Sequence, residues 1–407
     1  MLIFLSIFAF LTIARSNSYL LGYELLNIDE SQMMANAVRF HLNNYNIFEF
    51  DGTSSGFINS LVLNWPNIFG FDVTFLSTRI TAIFLISLTF FFCYKYFKIE
   101  TNKKLSLLLI LPGLLLFSLT NDPDYVHYSS ELISTLFIVI FLYGYKKFSK
   151  SRDGKFFYIG LILIGLIFFT KTQIIPTAVV LLFSVCLYNL ITRDFKIIVK
   201  SLILFFSPIL LIYLILYLNE NFYDYYLNYF EFSKAVVSKY SVGENINYNS
   251  LGIDISSTNN LKNYLFFNSV FHYFYFQIII LISILILILI FRKNFFFNLL
   301  DINILLVGIS VIMVFISILI TGAIYRHYFI PLIPLSTLFV GSILIKNLEI
   351  VLKLKFYKAF FCFLSFLYLA TFFFEGKKFY ALKFKKTKFH INNLNFDSPK
   401  ILEYLEL

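Results

Sequence analysis

The sequence predicts an all-α, polytopic membrane bundle. Three observations carry that reading. The chain of 407 residues is 59% hydrophobic and only 14% charged, with a mean hydropathy of +0.79, a balance foreign to soluble domains. Apolar runs of membrane-spanning length recur from end to end. Basic and acidic residues fall in alternate connections between those runs. Backbone groups in lipid must be paired internally, so helices are the expected spanning elements.

The predicted spans are 2–22, 73–94, 105–120, 131–145, 156–170, 176–191, 201–218, 273–291, 302–321, 328–345 and 359–374, about eleven in all. The first lacks a basic leader and a small-residue cleavage site, so it reads as a retained helix and not a signal peptide. Residues 1–374 form one membrane domain, and 375–407 form a short basic tail. Within the tail, Ser398-Pro399 marks a helix start.

Charge sets the expected orientation. With the N-terminus inside, one set of loops carries Lys95, Lys98, Lys103, Lys104, Lys146, Lys147, Lys150, Arg152 and Lys155. Arg193, Lys196, Lys200, Arg292, Lys293 and Lys346 continue that side. The opposite loops hold most of the acids, including Asp29, Glu30, Asp72, Asp122, Asp124 and Glu131. This is a positive-inside pattern, and it places the acids on the outer face. The net charge of +10 follows from topology and tail, so it is no sign of nucleic-acid binding. Cys93, Cys186 and Cys362 lie in apolar runs without paired spacing, which excludes a disulfide or zinc pattern. Walker, dinucleotide and H-E-x-x-H motifs are absent.

Two long outer segments, 23–72 and 219–272, interrupt the spans. In the first, Ile28, Met33, Met34, Ala37, Val38 and Leu42 recur at helical spacing, which predicts an amphipathic helix over 29–42 lying along the membrane surface. The stretch from Gly56 to Asp72 is expected to be a surface or re-entrant connection. The second segment is rich in tyrosine, including Tyr223, Tyr225, Tyr226, Tyr229 and Tyr240. Such residues suit a membrane interface first and a sugar-binding surface second.

Asp29-Glu30 is the most informative pair. Two carboxylates at the lip of a bundle cost desolvation and mutual repulsion. Asp29-x-x-Gln32 also has capping-box spacing, so a cap and a general base are both open readings for Asp29. Asp122-Pro-Asp124 reads as a turn. Ser129 and Ser130 are expected to cap the next span, with Glu131 favoured at its positive end. His127 and Glu131 are four apart and suit one helix face. Hard oxygen ligands converging from both acidic loops would also suit a divalent metal. Arg79 lies inside a span, where a charge costs roughly 2.5–3.5 kcal/mol on insertion scales, so a partner is expected in Asp29 or Glu30. Lys171-Thr-Gln173 and Arg326-His327-Tyr328 place cations at the same outer depth, as snorkelling anchors or as contacts for a lipid-linked phosphate.

The order Asp29-Glu30, Asp51-Gly52, Phe69-Gly70, Arg79, His127-Tyr-Ser-Ser-Glu131, Lys171-x-Gln173-x-x-Pro176, Arg326-His327-Tyr328 resembles a known family. It is similar to the polyprenyl-phosphate-dependent glycosyltransferases of the GT-C fold, in the bacterial branch related to protein O-mannosyltransferases and lipid A aminoarabinose transferases. The resemblance covers roughly residues 20–340. It implies inverting sugar transfer on the outer, periplasmic face of the inner membrane, from a polyprenyl-phosphate donor to a hydroxyl of a glycan, lipid or protein. It implies Asp29 as base, supported by Glu30, with Asp122, Asp124 or Glu131 as the second-loop acid. Lys171, Arg326 and His327 would then contact the phosphate, with Arg79, Gln173, His127 and Tyr328 in support. Many relatives continue into a soluble outer domain where this sequence stops; a minimal form and a truncated form are both open. The rival expectations are an O-antigen polymerase or ligase and a flippase or transporter of lipid-linked glycans. A transporter would carry its charges at mid-membrane.

Overall fold

The computed structural model describes residues 1–20, 28–44, 55–120, 123–231, 273–282, 301–320 and 326–347. Asp51-Gly52, Asp122, the span at 359–374 and the tail from 375 lie outside the described residues. The fold is an all-α, polytopic bundle. Among the described residues, six helices are long and apolar enough to cross a membrane, and shorter apolar helices cover Leu2–Ser16, Lys155–Phe169 and Tyr273–Ile282.

The N-terminal helix α1 (Leu2–Leu20) packs on α5 (Phe75–Lys98). Between them lie α2 (Ile28–Leu42) and the short α3 (Phe57–Leu63) and α4 (Trp65–Ile68). Thr74 starts α5 with a capping box: its side chain accepts from the Ser77 N–H at 3.2 Å, and Ser77 Oγ accepts from the Thr74 N–H at 2.9 Å. Helix α6 (Lys103–Leu119) returns, capped by Asn102, and the one-turn α7 (Pro123–Val126) leads to α8 (Glu131–Ser151). A tight hairpin joins α8 to α9 (Lys155–Leu166). Gly160 permits their closeness, because a Cβ there would lie 2.6 Å from the Phe141 Cα. Then come α10 (Ile175–Ile191), α11 (Phe195–Leu218), α12 (Phe222–Tyr226), α13 (Tyr273–Ile282), α14 (Ile302–Ile320) and α15 (Leu332–Lys346).

Burial separates centre from rim. The spanning window of α8 is 83% buried, whereas that of α11 is 22% buried, so α8 is the core post and α11 an outer wall. In lipid, apolar surface gains little by meeting other apolar surface, so packing and polar contacts must hold helices together. The polar contacts gather at two ends. Helices α5 and α8 and the chain entering α15 all run from one end, named here for Glu30, to the other, named for Glu100. Glu131 and Lys150 lie at opposite ends of α8, about 28 Å apart at 1.5 Å per residue. That matches a hydrocarbon core of about 30 Å.

At the Glu100 end, Lys146 and Lys150 reach Glu100 at 2.8 and 3.1 Å, and Lys346 reaches Asp301 at 2.7 Å. Lys346 is also 4.0 Å from Glu100, and the buried Lys146 ammonium sits 4.0 Å from the Tyr96 ring centre. These contacts tie α5, α8, α14 and α15 together.

Three expectations change. Helix α2 buries Glu30, Met33, Ala37 and Phe40, while Val38 and Leu42 are exposed, so its inward stripe is shifted from the predicted one. Asp29 lies in the first turn of α2, after Ile28, and is therefore no flanking cap. Tyr225 and Tyr229 are buried, with Tyr225 against Phe57 and Phe169, whereas Tyr223 and Tyr226 are exposed. The first two tyrosines are core, not interface.

Candidate functional site

The Glu30 end gathers its charged side chains from six stretches of chain. The first turn of α2 supplies Asp29 and Glu30, where a negative charge suits the helix dipole. Glu30 is fully buried, and so, at 2% exposure, is Arg79. Arg79 Nη2 donates to Glu30 Oε2 at 3.1 Å, and its Nε lies 3.3 Å from the same oxygen. Thr78 Oγ1 and the Tyr128 backbone N–H each donate to Glu30 Oε1 at 3.3 Å. His127 Nδ1 lies 3.3 Å from Oε2 without hydrogen-bond alignment. Burial pushes the Glu30 carboxyl above its ordinary value, outweighing the pull of Arg79. Burial, then the charges of Arg79 and Arg15, hold His127 down to about 3, so its imidazole is neutral at physiological pH.

The second group is built on α8. Glu131, its first residue, is 3.0 Å from Lys171 Nζ, and both side chains are buried. Ser129 and Ser130 donate their hydroxyls to Glu131 Oε2, the latter at 3.3 Å. The two serines thus hold the carboxylate and, against the expectation from sequence, do not cap α8 through their side chains. His127 precedes α8 and faces Glu30, so His127 and Glu131 share no helix face.

Lys171 is fixed by a strand-like contact. Ser55 and Lys171 form an antiparallel bridge, and the Gly56 N–H donates to Thr170 O at 2.8 Å. A side chain at Gly56 has no room, since its Cβ would lie 2.0 Å from Phe169 O. Asn59 Nδ2 also donates to Thr170 O at 2.8 Å, and Tyr128 Oη donates to Asn59 Oδ1 at 2.9 Å. Tyr128 is therefore the joint of the site: its N–H holds Glu30, and its hydroxyl holds the loop that carries Lys171.

The third group is the rim. His327 Nδ1 lies 3.4 Å from Asp29 Oδ2 and 4.0 Å from Asp124 Oδ2. The Asp29 side chain is 50% exposed and that of Asp124 is 25% exposed. Tyr328 stacks edge-on to His327 and lies under Lys171, whose Nζ is 5.6 Å from its ring centre. Gln173 follows Lys171 by two residues, and its buried Nε2 has no hydrogen-bond partner. Thr177 Oγ1, one turn further along, is in the same condition.

Asp29, Glu30, Arg79, Asp124, His127, Glu131, Lys171, His327 and Tyr328 thus meet at one end of the bundle. Asp122 and the Arg326 side chain lie outside the described residues. Sequence reasoning missed Arg15, Asn59, Thr78 and Tyr128. Arg15 is 2% exposed and donates to Phe117 O at 2.5 Å and to Tyr125 O at 2.8 Å, fastening α1 to the ends of α6 and α7. Its signal was available, because an arginine inside an apolar run demands acceptors. Among the described residues, no group of three or more His, Cys, Asp or Glu is placed to hold a metal ion.

Fold and polar ends define a polytopic helical membrane protein with charged groups concentrated at its two faces. No family model, no curated protein and no solved structure matches the chain.

Proposed function

We propose that the protein is a membrane glycosyltransferase of GT-C type, with about eleven spans, acting from the Glu30 end on a polyprenyl-phosphate-linked sugar. One observation carries most of this reading. Among the described acids of the cluster, Asp29 is the most exposed: its side chain is 50% exposed, against 25% for Asp124, 1% for Glu131 and 0% for Glu30. A base must reach its substrate, so Asp29 is the acid suited to that task.

In this reading the acceptor hydroxyl attacks the anomeric carbon and its proton passes to Asp29. The bond from that carbon to the lipid phosphate breaks, with inversion, and the phosphate leaves with its charge. Lys171 and Arg326 are the cations offered to that charge, with His327 as a further phosphate contact. Lys171 already holds Glu131, so it acts on phosphate as half of a polarised pair. Glu30 and Arg79 set the position of Asp29 through the shared first turn of α2. A divalent metal is not required by this chemistry. The Glu30 end would face the periplasm, with the basic loops in the cytoplasm. Charges at helix ends and not at mid-membrane favour an enzyme over a flippase or transporter.

The test is sugar transfer in proteoliposomes supplied with defined polyprenyl-phosphate sugars and hydroxyl acceptors. Wild-type protein should transfer sugar, and Asp29→Asn should fall by about 10²–10⁴-fold, the usual loss for a general base. Near-normal turnover by the Asn variant would remove Asp29 as base. Failure of the wild type with every donor would turn attention to a polymerase, ligase or transporter.

A further inference from the structure

The segment between the Ser55 bridge and the start of α5 has a property that the proposed chemistry does not use. From Gly52 to Phe71 the sequence holds no charged residue. Helices α3 and α4 have seven and four residues, and Asn64 separates them. Together they rise only about 17 Å, too little to cross about 30 Å of hydrocarbon. Both ends of the segment sit at the same face of the bundle. Ser55 bridges to Lys171, and just beyond the segment Thr78 and Arg79 bind Glu30. The chain therefore enters and leaves at the Glu30 end.

The segment has two faces. Phe57, Ile58, Leu63 and Pro66 are buried on the bundle. Leu61, Trp65, Ile68, Phe69 and Phe71 point away, at 46%, 36%, 69%, 68% and 67% exposure. Trp65 Nε1 donates to Thr81 Oγ1 at 2.8 Å, the seventh residue of α5. The indole therefore lies about 9 Å along the span from its first residue, below the lip. On α5 itself, Leu76 in the first turn is also exposed, at 53%. Part of the irregular backbone is also paired within the segment. The N–H groups of Asn64, Asn67, Phe69, Gly70 and Phe71 all donate to carbonyls of residues 60–67. Such internal pairing lowers the cost of non-helical backbone near the lip of the membrane.

We infer that residues 57–71 form a re-entrant wedge whose outward face is immersed in the acyl chains of the leaflet at the Glu30 end. The partner is bilayer hydrocarbon. The wedge packs against α2, which carries Asp29, so the candidate site opens beside lipid and not into bulk water alone. This inference stands whether or not the protein transfers sugar.

Trp65 is the only tryptophan in the chain, so indole emission, excited to the red of tyrosine absorption, reports on the wedge directly. The full chain is placed in nanodiscs whose phospholipids are brominated either near the headgroup or near the chain end, and iodide is added separately to the water. Immersion predicts loss of most of the emission with headgroup-proximal bromine, less with terminal bromine, and almost none with iodide. Phe69→Asp with Phe71→Asp should reverse that ranking by lifting the wedge, and the Trp65→Phe protein, which has no indole, serves as the control. Strong iodide quenching with no effect of bromolipid would overturn the inference. Insensitivity to both quenchers would overturn it too, because it would mean that protein covers the indole.

Discussion

Glu30 and Glu100, at the two ends of the bundle, hold buried charge in opposite ways. At the Glu100 end, three lysines surround two acids, and each acid has a lysine within 2.8 Å. Burial pushes the Glu100 and Asp301 carboxyls up, but the lysines, with Asn303 beside Asp301, outweigh it and hold both below the ordinary range. Around Glu30 burial wins: Glu30 is pushed up despite Arg79 at 3.1 Å, and His127 is held neutral beside it, whereas Glu131 at the same end is paired with Lys171 at 3.0 Å. A half-exposed Asp29 stands on the rim with His327. A saturated network of this kind ties helices together. A network with perturbed groups and one accessible carboxylate is where chemistry is expected.

Breaking each end in turn sharpens the contrast. The largest stability effect is expected from Lys171→Met, which leaves Glu131 buried without its cation. Removing one partner of a buried pair costs about 3–5 kcal/mol, read as a lowered melting temperature in detergent. The double change with Glu131→Gln should recover part of that loss. If Lys171→Met melts like wild type, the pair does not hold the Glu30 end.

Glu100→Gln should cost about 1–3 kcal/mol by stranding the buried Lys146, with turnover per folded molecule unchanged. A comparable loss is expected of Gly56→Ala, about 1–3 kcal/mol for overpacking against Phe169 O. The alanine variant should also lose activity, because it pushes Ser55 away from Lys171. An active, stable alanine variant would show that the bridge is dispensable.

The smallest effect is in pH. Glu100 and Asp301 have lowered values in the fold, so the stability they contribute is present above the ordinary carboxylate range of about 4. It is lost as pH falls through their lowered values. Glu30 is raised, so its contribution runs the other way: proton uptake favours the fold between the ordinary and the raised value. Melting measured against pH should therefore fall less steeply in acid for Glu100→Gln than for wild type. Parallel curves would contradict the assignment.

Much of this layout was legible in the sequence. Apolar runs of bilayer length fold as helices because lipid leaves the backbone no other partner. Arg79 was expected to pair with Asp29 or Glu30, and it pairs with Glu30. The loops of the site were less legible, for a physical reason. Tyr128, Asn59 and Ser55 act through pairings 69 and more residues apart, and no local pattern marks them. The serines before α8 had the composition of caps, yet a buried carboxylate next door is the stronger acceptor. The spacing of His127 and Glu131 suggested one helix, but α8 starts too late to hold both.

The central claim is that the two ends divide function from support, with Asp29 carrying the chemistry. Asp29→Asn and Glu100→Gln, purified in parallel, test it in one measurement of transfer from a saturating polyprenyl-phosphate sugar alongside thermal melting. The account predicts a crossed result. Asp29→Asn should melt like wild type and lose about 10²–10⁴-fold in turnover, whereas Glu100→Gln should melt lower and turn over normally once folded. Loss of transfer in both variants, or in neither, would contradict it.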